Sequence, residues 1–308
     1  MKLFPRLAAP LLALAGLVLA VPAPAQQHVP TPQPVEAVPA PEVARPALWK
    51  VADADTTIYL FGTIHLLPKG VEWYDGAVAN SFEQSGELVT EIPEIEESAT
   101  AAVLMKYGML PPGQSLRALM TKREKVKYEA AMRANGLSPA AFDRFRPWYA
   151  AVVLATLPLQ RKGYDLAHGA ESELAERNKT AGRPRVGLET LDYQLGLFAT
   201  FPPKVQKKYL MDVIAAMPSI DKDVADMVAA WKTGDAAHLA TLLNAEEDDP
   251  AMVQVLLINR NKAWASWISN RLDKPGTVFI AVGAGHLGGK GSVQDQLAKA
   301  GVASTRVQ

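Results

Sequence analysis

The run Thr277-Val278-Phe279-Ile280-Ala281-Val282 constrains the fold more than any other part of the chain. It is short, apolar and rich in β-branched residues, which marks a strand, and it leads into Gly283-Ala284-Gly285-His286. The arrangement recurs near the other end of the sequence. There Thr57-Ile58-Tyr59-Leu60-Phe61 leads into Gly62-Thr63-Ile64-His65. Strands at both ends, with helical sequence between and after them, predict an α/β fold. The expected architecture is a central mixed sheet flanked by helices, with the paired Gly-x-x-His segments as an internal repeat.

The remaining elements fit around this frame. Leu48-Trp49-Lys50-Val51 reads as a strand joined to the next by a turn at Asp53-Ala54-Asp55. A helix is expected over 75–84 and a strand over Glu87-Leu88-Val89-Thr90-Glu91-Ile92. A long helical stretch follows, read as an insertion over about 95–170. Within it, Asn135-Gly136 stops one helix and Ser138-Pro139 starts another as N-cap and first residue. Arg185-Val186-Gly187-Leu188-Glu189 is a short strand, and helices fill 190–273. One of them carries Val224, Met227, Val228 and Trp231 on a single face and is closed by Gly234. A last helix and a short strand, Ser304 to Val307, complete the domain.

The first residues read as a secretory signal over 1–25. Lys2 and Arg6 precede the apolar stretch Leu7 to Ala20, and Ala23-Pro24-Ala25 offers a cleavage site. That stretch is shorter than the ~20 residues a membrane span needs, and no later run is long enough to serve. The expected location is therefore periplasmic or secreted, with no stable span after cleavage. Residues 22–46 hold eight prolines and few large apolar groups, so 26–46 reads as an extended tether ahead of a domain at 47–308. The whole chain has zero net charge, which leaves no cationic excess to neutralise phosphates and argues against a nucleic-acid partner. It has no cysteine, which excludes disulfides, thiolate metal ligands, a cysteine nucleophile and an acylated anchor.

Four strand-like runs end in ionisable residues: His65, Glu91, Glu189 and His286. If the strands run parallel, these residues line one edge of the sheet, where open α/β sheets bind ligands. Two imidazoles with one or two carboxylates form a ligand set for a catalytic divalent metal, with Mn, Co or Zn all suited. The glycine before each histidine permits a sharp turn off the strand and a close backbone approach. Arg260 falls on the apolar stripe Val253, Leu256, Leu257, Trp264, Trp267, Ile268. A guanidinium there needs a partner, and Glu91, Glu189 or a substrate are the candidates. His168 is a weaker candidate for lining the cleft. His238, after the N-cap Asp235, reads as exposed, and His28 lies in the tether.

Familiar signatures are missing or out of context. Gly283-Ala284-Gly285-His286-Leu287-Gly288 matches G-x-G-x-x-G, but the chain ends before the further strand and acidic residue that a dinucleotide site requires. No G-x-S-x-G or H-E-x-x-H is present.

Taken together, Leu48-Trp49-Lys50-Val51, Tyr59-Leu60-Phe61-Gly62-Thr63-Ile64-His65, Gly187-Leu188-Glu189-Thr190, Asn259-Arg260-Asn261 and Ala281-Val282-Gly283-Ala284-Gly285-His286-Leu287 resemble the TraB/GumN family. Its relatives include the Tiki proteases and, more distantly, the erythromycin esterase and ChaN-like proteins. The resemblance spans about 47–308. It implies an α/β fold of paired repeats and a site at His65, His286, Glu91 or Glu189, and Arg260. It also implies metal-dependent proteolysis of the Tiki kind. The chain departs from the family at Gly169-Ala170-Glu171, where bacterial members carry Gly-x-Asp.

The resulting expectation is a metal-dependent, peptidase-like hydrolase of a peptide or small-molecule substrate. His65 and His286 hold the metal, Glu91 acts as base on its water, Glu189 is a ligand or orienter, and Arg260 polarises the carbonyl or holds the carboxylates. The alternatives are a metal-independent esterase-type hydrolase, in which a His/Glu pair is the base, and a non-catalytic binder of a peptide signal, metal or haem.

Overall fold

Strand residues divide by the two-residue period of the pleat. Ile58 and Leu60 pack with Val278, Ile280 and Val282 on one side, while Phe61 packs with Phe279 and Ala281 on the other. Both faces are therefore apolar and both must be covered, which explains why these strands read as continuous apolar runs. The computed structural model describes residues 43–244 and 250–308. The expected signal segment, most of the tether and His28 lie outside the described residues.

The strands are β1 (Leu48–Ala52), β2 (Thr56–Thr63), β3 (Leu67–Pro68), β4 (Glu87–Thr90), β5 (Tyr164–Asp165), β6 (Arg185–Gly187), β7 (Gly276–Gly283) and β8 (Thr305–Arg306). The main sheet has the order β6-β4-β7-β2-β1-β8, and β3 pairs with β5 in a separate ribbon. β6, β4, β7 and β2 run parallel, with Leu60 opposite Ile280 and Val89 opposite both Ile280 and Val186. β1 and β8 are antiparallel additions at one edge. The sheet is mixed, as expected, and mostly parallel.

One face packs on Trp73, Phe82 and Trp231, and the other on Trp264, Ile268 and Leu297. Helices 97–108, 122–134 and 147–161 lie in sequence between β4 and β6. With helices 191–200 and 203–216 they build a separate core around Tyr128, Trp148, Leu154 and Leu210. The sequence reading differs at Ser138-Pro139. Consecutive turns fill 139–144 and no helix starts there. The helix starts at Pro147, so that proline is the one at the first helical turn. Ser138 Oγ instead accepts from the nearby Ala140 N–H at 3.3 Å, a local turn contact.

The parallel arrangement positions the site. β4 ends immediately before Glu91, and β6 ends two residues before Glu189. The ladder continues past both ends, with Glu189 N donating to Glu91 O at 2.9 Å, so the two glutamates stand side by side. β2 and β7 end just before His65 and His286.

Candidate functional site

Arg260 is the centre of the constellation. It stands on helix 259–271, directly after a π-helical segment at Gln254–Ile258, and is 4% exposed. Such segments concentrate at functional sites. Its Nε donates to both Glu189 oxygens at 3.0 Å, and its Nη2 donates to Glu91 Oε2 at 2.6 Å and Glu189 Oε2 at 2.9 Å. Nη1 donates to the Leu256 carbonyl at 3.1 Å and meets His286 Nε2 at 3.2 Å. The stripe position thus carries a buried guanidinium whose partners are both glutamates named from the sequence. Its five N–H groups are all engaged, which leaves none for a substrate carbonyl.

Neighbouring side chains complete this network. Gln194 Nε2 donates to Glu91 at 2.7 Å and Glu189 at 3.3 Å, and Trp264 Nε1 donates to Glu189 at 3.0 Å. Gly283 N donates to Glu91 Oε1 at 2.8 Å. Burial by itself would raise the Glu91 pKa. Arg260, then His286, His65 and the Gly283 N–H outweigh it and hold the carboxyl at about 2. Burial pushes Glu189 upward, and Arg260 opposes the rise.

The tautomer of His286 follows from its surroundings. Asn261 Nδ2 must donate to the Gly291 carbonyl, 2.8 Å away, so Asn261 Oδ1 is the atom facing His286 Nδ1 at 2.5 Å. Nδ1 therefore carries the proton, and Nε2 offers its lone pair to Arg260. Burial first, and Arg260 second, push the His286 pKa down to about 3, so the ring is neutral. Both nitrogens are engaged. As arranged, His286 has none to offer a metal, and the guanidinium stands where a bridging cation would pair with the carboxylates. Among the described residues no group of three or more His, Asp or Glu side chains is arranged to hold a metal ion.

His65 lies in the wall of a cavity of about 370 Å³ together with Glu91, Glu171, Gln194, Arg185 and Ile92. Glu91 joins the two histidines: it lines the cavity beside His65, and its Oε1 is 3.9 Å from His286 Nε2. His65 Nδ1 faces Glu171 Oε2 at 3.5 Å, and its Nε2 is buried without a hydrogen-bond partner. Arg185 Nη2 is 3.7 Å from Glu171 Oε1, and its Nε donates to Thr90 Oγ1 at 3.0 Å. Burial pushes the Glu171 carboxyl upward, with His65 opposing.

The motif glycines provide close approach rather than turning. A Cβ on Gly62 would lie 3.0 Å from Ala284 Cα, and one on Gly283 would lie 3.1 Å from Glu91 Oε1. One repeat thus makes room for the other, and the second makes room for the carboxylate. Gly169 is tighter. A Cβ there would lie 2.2 Å from the His65 carbonyl oxygen, where Ala170 N also donates to Ile64 O at 3.0 Å.

Glu171, Gln194 and Asn261 join the site without having been among its candidates by strand position. Gln194 shares an apolar stripe with Leu191, Leu195 and Phe198, and Asn261 with Trp264, Ala265 and Ile268. This is the same signal that marked Arg260. His168 is not among the residues lining the cavity and stands 3.6 Å from Asp165, while His238 is exposed at the first turn after Asp235.

The chain is 22% identical over 253 residues to the uncharacterized protein YbaP of Escherichia coli K12, which covers 82% of this chain and 92% of the relative. YbaP of Shigella flexneri is 23% identical over 240 residues, covering 78% and 87%. No solved structure matches significantly. The description of the TraB/PrgY/gumN family matches residues 47–306, nearly the whole described domain, and the chain belongs to that family.

Proposed function

We propose that the protein is a hydrolase of ester or amide bonds in which His65 is the general base. The observation that carries this is the polarity of His65. One ring nitrogen faces a carboxylate at 3.5 Å and the other is unpartnered in a cavity wall. A base held on one side by an orienting carboxylate and open on the other is the arrangement general-base catalysis uses, and such contacts shorten when substrate binds. Water between His65 Nε2 and the substrate attacks the carbonyl carbon and gives its proton to Nε2. Collapse of the tetrahedral adduct breaks the bond to the leaving oxygen or nitrogen, which takes that proton. The products are an acid and an alcohol or amine. Arg185, one of two cationic side chains lining the same cavity, is placed to stabilise the oxyanion.

This reading moves the base away from Glu91, whose carboxyl at about 2 is too acidic to accept a proton near neutrality. Glu91, Glu189, Arg260 and His286 form the rigid floor that positions the cavity. The metal-bridged version implied by the family resemblance would require His286 to exchange Arg260 for the ion. The signal-like N-terminus places the activity outside the cytoplasm in this proposal. Among the described residues no helix is long and apolar enough to cross a membrane.

The test is turnover of p-nitrophenyl ester and peptide libraries by the purified protein, with and without chelator. His65→Gln should abolish turnover, and chelator should leave it unchanged. Activity that vanishes with chelator and returns with Mn, Co or Zn would replace this reading with the metal version. Full activity in His65→Gln would remove His65 as the base.

A further inference from the structure

Three unpartnered polar atoms belong to residues lining the 370 Å³ cavity: His65 Nε2, Glu171 Oε2 and Gln194 Oε1. His65 is 9% exposed and Gln194 3%. Gln194 has committed its N–H groups toward Glu91 and Glu189, so its Oε1 is an acceptor with no donor. A carboxylate oxygen of Glu171 is an acceptor too. Glu171 Oε2 makes no hydrogen bond and has only the His65 N–H facing it at 3.5 Å, while Gln194 Oε1 meets no donor, so the wall has more acceptor capacity than its own donors meet. Glu94 and Glu176 add carboxylates around the cavity, against Lys179 and Arg185. Lys179 is 3.3 Å from Glu94, and Arg185 is 3.7 Å from Glu171 and bonded to Thr90 and the Ile92 carbonyl. Ile92, Ile95 and Leu191 supply the apolar part of the lining.

We propose that this cavity binds a substrate carrying a cationic nitrogen, an ammonium or guanidinium, held by Glu171 and Gln194 Oε1. The inference rests on the hydrolase reading of the same cavity and narrows its substrate class to amine-bearing acyl compounds. A cation on Glu171 fits its surroundings. Burial disfavours that carboxylate's charge, and an N–H-rich cation restores what desolvation removes. The aliphatic stem next to the cation has apolar side chains to lie against. A peptide provides such a group either at its N-terminus or on a lysine or arginine side chain.

The test measures binding apart from turnover. n-Butylammonium, n-butylguanidinium and uncharged 1-pentanol are titrated into the full chain at neutral pH and followed by calorimetry or NMR shifts. Both cations should bind at least roughly tenfold more tightly than the alcohol, the scale of one charge-assisted hydrogen bond. Glu171→Gln and Gln194→Leu should each cut cation affinity by a similar factor without affecting the alcohol. Glu129→Gln, outside the cavity, should do neither. Should Glu171→Gln fail to fold, Gln194→Leu and the wild-type ammonium-to-alcohol ratio carry the test. Tri-alanine, acetyl-tri-alanine and acetyl-Ala-Lys-Ala then separate an N-terminal from a side-chain source. Equal binding of cation and alcohol, or no loss in Glu171→Gln, would overturn the proposal. Cation-selective binding with no turnover of any substrate leaves this inference standing and removes the hydrolase. Turnover of neutral esters without cation selectivity does the reverse.

Discussion

Arg260 shows how much one buried charge organises. Two carboxylates and one imidazole converge on it, and each contributes what the others lack: charge balance from Glu91 and Glu189, a lone pair from His286. Removing the cation would leave the carboxylates buried and unpaired. Arg260→Leu is expected to destabilise the protein by about 3–5 kcal/mol, read from urea unfolding. Arg260→Lys should recover little, because a single ammonium cannot meet two carboxylates, the Leu256 carbonyl and the imidazole at once. An Arg260→Leu loss within about 0.5 kcal/mol, the scale of an ordinary surface change, would show that the network is not under this constraint. The same logic identifies Asn261 as a positioning residue. Only its Oδ1 selects the His286 tautomer that accepts from Arg260.

At the scale of elements, the strand framework and half of the site were legible, and the reason is periodicity. Apolar strands covered on both faces leave continuous hydrophobic runs, and a polar residue just past such a run marks the carboxyl end of a parallel strand. His65, Glu91, Glu189 and His286 were found that way, and Arg260 by its intrusion on a helical stripe. The helix-borne members were harder. Glu171 lies in an acidic first turn with Glu173, which reads as solvated charge, yet it shares a face with the buried Leu174 and Asn178. What brings it to His65 is the packing of helix 170–180 on the β2 end, set by Gly169 and visible only in three dimensions. That packing is testable. Gly169→Ala places a methyl 2.2 Å from a backbone oxygen, against 3.0 Å from Ala284 Cα for Gly62→Ala. Gly169→Ala should therefore cost more stability than Gly62→Ala. The latter is expected to fall in the ~1–3 kcal/mol range of overpacked cores. Gly169→Ala should also shift the His65 ring resonances in NMR spectra. Equal costs for the two variants would mean that the helix yields freely and that the His65–Glu171 pairing is not built in.

For the whole molecule, the buried site makes folding stability depend on acidity with a predictable sign. The His286 pKa falls from 6.5 in the unfolded chain to about 3 in the fold. Between those values the unfolded chain binds a proton that the folded one refuses. Stability from this group is complete above 6.5 and is lost as pH falls toward 3. Glu91 acts in the same direction over a lower window. Its stabilisation is complete above 4.5 and is lost as pH falls toward 2. Glu171 and Glu189, whose pKa values are raised, act oppositely and favour the fold as pH falls from their raised values toward 4.5. Between pH 7 and 5 the contribution of His286 alone should drop by about 2 kcal/mol. His286→Gln isolates it. The variant loses the Arg260 contact at every pH, so its absolute stability is lower, but the pH 7-to-5 slope should be shallower by about that amount. Urea unfolding at the two pH values measures the difference of slopes. Parallel slopes would mean that His286 takes up its proton as readily in the fold as in the unfolded chain. An imidazolium beside the Arg260 guanidinium would then demand a different arrangement of the whole cluster.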